Sequence, residues 1–117
     1  SPGLFSEFIE TRLRRVVDAV PGCIMHQHST GFTPTESYLN MGFVALELHI
    51  DEGGPPAEEL FDRHQSILAT KPLIIWGDIP ERDMKWLFSK LPNQGLAVIT
   101  VVENPEHAKS IWEKFGS

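Results

Sequence analysis

The chain has 117 residues, of which 41% are hydrophobic and 22% charged, a composition typical of a folded globular domain rather than a disordered segment. Its 16 acidic residues outnumber its 10 basic residues and give a net charge of −6. Nucleic-acid and anionic-membrane surfaces need clustered positive charge, so we expect neither kind of partner. No apolar run approaches the ~20 residues that cross a membrane.

The length lies in the commonest range for one folded domain, and we predict a single domain over 1–117. The chain begins Ser1-Pro2-Gly3, without Met or a signal-peptide pattern. Either processing removed the first residues or the chain is a domain excised from a longer protein, and we favour the second interpretation. Cys23 is the only cysteine, which excludes an intramolecular disulfide and a cysteine-only zinc site. We expect Cys23 to be a small buried hydrophobic residue in a cytoplasmic or other reducing compartment.

The first elements are predicted from the spacing of apolar residues. Residues 4–20 have apolar side chains three and four positions apart, which predicts an amphipathic helix that ends at Pro21-Gly22. Residues 23–28 show no helical period and predict a short strand. Residues 29–37 are rich in Gly, Pro and Thr and predict a loop.

The clearest strand is predicted at 38–50, where side chains alternate between two faces. Val44, Leu46, Leu48 and Ile50 form one face, and Phe43, Ala45, Glu47 and His49 form the other. We expect 23–28 to pair with this strand in antiparallel orientation at the edge of the sheet.

The second half of the chain alternates between helix and strand. Helices are predicted at 57–69, after a cap at Asp78, and after a cap at Asn104. The runs 73–76 and 96–102 are apolar on both faces, as in parallel strands covered by helices on both sides. The predicted order is αββαβαβα, which indicates the α/β class with α+β as the alternative. We expect a four-stranded mixed sheet with helices on one or both faces.

One group of residues suggests metal chemistry. His26 and His28 are two residues apart and share one face of their strand, and Glu47 and His49 do the same on the next strand. If the strand register aligns these pairs, three imidazoles and a carboxylate converge, a set that suits zinc, nickel or iron. The same set could serve acid–base chemistry. A register shift of one residue would instead leave ordinary polar residues on a solvated face.

A second group consists of acidic residues at the predicted carboxyl ends of the strands. In open α/β sheets ligands bind at this edge, and clustered carboxylates can hold Mg²⁺ there. Helix capping is the stronger explanation for these acids, because helix N-termini favour negative charge. The group comprises Asp51, Glu52, Asp78 and Glu103.

The aromatic residues and one further histidine complete the candidates. Trp76, Ile99 and Trp112 are predicted in the core. Trp86 lies beside the apolar stripe of its helix, where an exposed tryptophan would mark a protein-binding surface. The alternative for Trp86 is a half-buried position at the helix edge. His64 falls on an apolar helix face and is predicted to be a partly buried histidine with a hydrogen-bonded ring nitrogen.

These observations favour a non-catalytic α/β binding or oligomerisation module of a larger protein or complex. Its partner would be another protein or a second copy of the chain, with no cofactor, and the free edge at 23–28 would suit such pairing. The alternative is a small metal-dependent hydrolase or metal-binding domain that uses zinc or another divalent transition metal. Its ligands would be His26, His28, Glu47 and His49. We prefer the non-enzymatic function, because the sequence shows no convincing catalytic set.

Overall fold

Helices and strands alternate along the computed structural model, which describes residues 1–116. The chain opens with a helical stretch made of α1 (Pro2–Leu4), a π-helical segment (Phe5–Glu10) and α2 (Thr11–Ala19). The elements that follow are β1 (Ile24–His28), α3 (Thr35–Leu39), β2 (Ala45–Ile50), α4 (Phe61–Leu68), β3 (Leu73–Gly77), α5 (Glu81–Lys90), β4 (Leu96–Thr100) and α6 (Pro105–Phe115). The α/β class, with four strands and flanking helices, is confirmed.

The four strands form one sheet in the order β1-β2-β3-β4, and all neighbours are parallel. The predicted mixed sheet, with an antiparallel first pair, is therefore wrong. The segment between β1 and β2 contains α3, and a connection of this length carries the chain back so that both strands run in the same direction. The strand predicted at 38–50 is also too long, because Tyr38 belongs to α3 and β2 begins at Ala45.

The connecting helices cover only one face of the sheet. Parallel strands are joined by crossovers of one hand, so a sheet in sequential order carries its connecting helices on the same side. We call this side the covered face. Its strand residues Leu46, Leu48, Leu73 and Ile75 are fully buried, and they form one core with Val17 of α2, Ile67 of α4 and Leu87 of α5.

The opposite side, which we call the open face, consists of the alternate strand residues. Apart from Ala45 at the start of β2, which is buried, they are exposed or half-buried, so the expectation that the last two strands are buried on both sides is wrong. Ile99, predicted in the core, is 49% exposed, and Trp76 is half-buried. The open face comprises Ile24, His26, His28, Ala45, Glu47, His49, Ile74, Trp76, Ala97 and Ile99.

The helix ends fit the predictions in part. The first helical stretch ends before Gly22, whose φ of +83° suits glycine, and Asn104 caps α6 by accepting a 2.8 Å hydrogen bond from the His107 N–H. Asp78 does not cap α5, which begins after Pro80. Trp112 is 68% exposed, so its predicted core position is wrong. No helix within residues 1–116 has both the length and the apolar character needed to cross a membrane.

Candidate metal centre

The predicted histidine cluster forms on the open face at β1 and β2. The strand register places His26 beside Glu47 and His28 beside His49. Neighbouring residues in a parallel pair point to the same face, so all four side chains lie together. The convergence was predicted from an antiparallel hairpin, and it also holds for parallel strands because the two-residue period is the same in both.

Two of the imidazoles are oriented by carboxylates. His26 Nδ1 lies 2.5 Å from Glu47 Oε1, and His28 Nδ1 lies 2.5 Å from Asp51 Oδ1. An ionised carboxylate only accepts hydrogen bonds, so each ring donates from Nδ1, and in the neutral imidazole this leaves the Nε2 lone pair free. The two Nε2 atoms lie 3.1 Å apart. Two lone pairs that face each other at this distance repel, and a proton or a metal cation between them removes the repulsion.

His49 completes a set of three. One ring nitrogen from each of His26, His28 and His49 lies within 4.8 Å of the others. The Nδ1 atom of His49 is buried at 3.8 Å from Asp51 Oδ1 and has no hydrogen-bond partner in the described part of the chain. Two nitrogens bound to a tetrahedral zinc ion are about 3.3 Å apart, because each Zn–N bond is roughly 2.0–2.1 Å long. The 3.1 Å between the two Nε2 atoms is slightly shorter than this separation, and the 4.8 Å limit for all three ring nitrogens is longer.

Asp51 was missed as a member of this site, because the sequence placed it with the acidic group. Its Oδ2 accepts hydrogen bonds from Ser29 Oγ at 3.0 Å, Thr30 N at 3.0 Å and Thr30 Oγ1 at 2.8 Å, which leaves Oδ1 for His28. Burial alone would raise the pKa of Asp51, but hydrogen bonds from His28, Thr30 and Ser29 outweigh it and lower this pKa well below its usual range. The spacing could have revealed Asp51, since it lies two residues beyond His49.

The other members of the acidic group do not join the imidazoles. Asp51, Glu52 and Asp78 line a cavity of about 310 Å³ at the carboxyl ends of β2 and β3. Glu103 is exposed on the loop after β4. Within residues 1–116, the one group of three or more side chains spaced to share a metal ion is the histidine set.

The neighbouring strand β3 shapes the wall of the site. The Trp76 ring packs against His49 with centroids 4.4 Å apart. Gly77 has a φ of +152°, and a Cβ there would lie 2.6 Å from the Ile50 carbonyl oxygen and 3.1 Å from His49 Cδ2. Glycine therefore allows the His49 ring to lie close to β3. The sequence did not single out either residue for this purpose.

The remaining candidates lie elsewhere. Trp86 is half-buried and packs edge-on against Phe61, with centroids 5.2 Å apart, so it contributes to the contact between α5 and α4. His64 is fully buried, but neither ring nitrogen has a hydrogen-bond partner among residues 1–116, so the predicted bond is not found there. Burial and the nearby Arg63 lower the pKa of His64 to about 4. Cys23 is half-buried, and its Sγ donates to the Val20 carbonyl oxygen at 2.9 Å.

Comparisons of the chain with protein-family models, with curated proteins and with solved structures found no significant match. The geometry and the donor atoms of the histidine cluster carry the functional proposal. Three neutral imidazoles are a donor set that could hold zinc and would leave one coordination position for water or substrate. Such a centre supplies Lewis-acid activation of water, the chemistry of metal-dependent hydrolysis.

Proposed function

We propose that this chain binds one divalent transition-metal ion, preferentially zinc, through His26, His28 and His49. The observation that carries the proposal is the pair of Nε2 atoms 3.1 Å apart, each on a ring whose Nδ1 is bonded to a carboxylate. Metal-binding histidines usually donate their other ring N–H to a carboxylate or a carbonyl oxygen, which fixes the tautomer and raises the basicity of the ligand.

The donor atoms favour zinc over magnesium or calcium. Imidazole nitrogen suits zinc, copper, nickel and iron, whereas magnesium and calcium prefer oxygen ligands. Glu47, predicted from the sequence as a ligand, is bonded to His26 at 2.5 Å. We therefore assign Glu47 and Asp51 the same task, the orientation of one ligand histidine each. The partner-binding role of Trp86 stays a prediction.

The test is the binding of Zn²⁺ to the metal-free protein, measured by calorimetry and by thermal unfolding. We expect one ion per chain and, at a zinc concentration of 100 times the dissociation constant, about 2.7 kcal/mol of added stability. His28→Ala should lose most of this stabilisation. His107→Ala is the matched control, because His107 lies on α6 away from the cluster. Mg²⁺ should stabilise none of the three proteins.

Two results would contradict the proposal. One is the absence of stabilisation by zinc in the wild-type protein. The other is equal stabilisation of the wild type and His28→Ala, which would place zinc at another site. Circular dichroism of each metal-free variant checks that the substitution leaves the fold intact.

A further inference from the structure

The open face is unusual for a parallel sheet. Sheets with only parallel strands are almost always covered on both faces. Here the β3 and β4 side of the open face presents apolar residues, and Ile99 is 49% exposed. This apolar part comprises Ile74, Trp76, Ala97 and Ile99. An exposed apolar surface of this kind is typically covered by a binding partner when the protein functions.

The two edges of the sheet lack the usual protection against pairing. Edge strands of soluble proteins commonly carry lysine, proline or inward-pointing charge, which discourages contact with other strands. β4 has the sequence Leu-Ala-Val-Ile-Thr, without charge or proline, and β1 contains neither lysine nor proline. Within residues 1–116, both strands have a neighbour on one side only.

The strand order suggests one assembly that would cover the open face and also pair both edge strands. Parallel strands in sequential order, with their helices on one side, are the arrangement found in a (βα)₈ barrel. Such a barrel closes with eight strands, and this chain supplies four. We propose that two copies of this chain, related by a two-fold axis, close an eight-stranded parallel barrel with both open faces inside. β4 of each copy then pairs with β1 of the other.

The distribution of side chains on the open face supports a second copy of the chain as the partner. In the closed barrel each strand lies opposite its own copy across the axis. The β1 and β2 side of the open face begins with the apolar pair Ile24 and Ala45 and then carries the histidines and Glu47, whereas the β3 and β4 side is apolar. Apolar residues therefore meet apolar residues, and polar residues meet polar residues. A barrel interior is normally filled by such packed side chains. The assembly encloses the histidines but needs no metal ion, so its test does not depend on zinc binding.

The first experiment measures the mass of the metal-free chain by light scattering and sedimentation, with a chelator present. We expect a dimer of twice 13.2 kDa. Ile99→Lys should raise the dimer dissociation constant by at least about 100-fold, because it places an unpaired charge inside the barrel. Val16→Lys is the matched control, since Val16 lies on α2 outside the sheet and is 57% exposed. It should stay dimeric.

The second experiment separates a closed barrel from two sheets packed face to face. In the barrel the outer edges of β1 and β4 become hydrogen-bonded, so hydrogen exchange over 24–28 and 96–100 should be at least about tenfold slower than in monomeric Ile99→Lys. A wild-type monomer, an assembly larger than two, a dimer broken by Val16→Lys but not by Ile99→Lys, or a dimer with unprotected edges would each overturn the proposal.

Discussion

On β3, Ile75 points to the covered face and is fully buried, whereas its neighbour Ile74 points to the open face and is only half-buried. The same alternation runs through the sheet, so the two faces are made from the same strands yet differ in chemistry. The covered face forms the core with the helices, and the open face carries the histidine cluster and an apolar patch. One strand can therefore serve stability and function separately, because successive side chains point to opposite sides.

The largest expected effect comes from a comparison of two isoleucines on β3, one on the covered face and one on the open face. Ile75→Ala should reduce the free energy of unfolding by about 2–5 kcal/mol, because it leaves a cavity in a packed core. Ile74→Ala should reduce it by less than about 1.5 kcal/mol, since less surface is buried there. Urea unfolding at low protein concentration measures both. Equal losses would show that the open face is as tightly packed as the covered face.

The histidines sharpen the comparison, because they occur on both sides of the sheet. His26 and His28 are bonded to carboxylates, whereas His64 of α4 is buried on the covered side without a hydrogen-bond partner. Burial disfavours the protonated form of His64 and lowers its pKa to about 4. In the unfolded chain His64 has the ordinary histidine pKa of about 6.5.

The consequence is a loss of stability in acid. Above pH 6.5 His64 is neutral in both states, whereas between pH 6.5 and 4 only the unfolded chain takes up the proton. The free energy of unfolding should then fall by about 1.4 kcal/mol per pH unit, or about 3 kcal/mol in total. Urea unfolding across this range should show a flatter dependence for His64→Leu than for the wild type. The control His107→Gln should keep the slope of the wild type, and equal slopes in all three would contradict the assignment.

A smaller effect concerns the orientation of His28 by Asp51. Asp51→Asn retains the shape of the side chain but removes the charge that His28 Nδ1 faces at 2.5 Å. We expect zinc affinity to fall by about 10–100-fold, as for other carboxylates that orient a ligand histidine. Glu52→Gln is the matched control, because Glu52 is the adjacent acid and is exposed. Calorimetric titration with Zn²⁺ measures both variants, and an unchanged affinity in Asp51→Asn would mean that Asp51 does not orient the ligand.

Local periodicity was enough to predict a large part of the fold. Alternation located β2, uninterrupted apolar runs located β3 and β4, and the absence of a helical period located β1. The three-and-four spacing located the long helices at both ends of the chain. The same period placed His26 with His28, and Glu47 with His49, on shared faces. Side-chain direction within one element depends only on the backbone of that element, so these features are written in short stretches of sequence.

The relation between elements was decided by the tertiary structure. The direction of β2 relative to β1 depends on the path of the connection. The helix α3 in that connection was missed, because the sequence predicted a loop up to residue 37 and a strand from residue 38. The exposure of Ile99 depends on which face the helices cover, and this follows from strand order and the hand of the crossovers. The exposure of Trp112 depends on how α6 packs, since Ile111 and Phe115 contact the core instead. Asp51 joined the histidines only when parallel pairing brought the ends of β1 and β2 together. Each of these features depends on contacts between distant parts of the chain, and the local spacing of residues carries no information about such contacts.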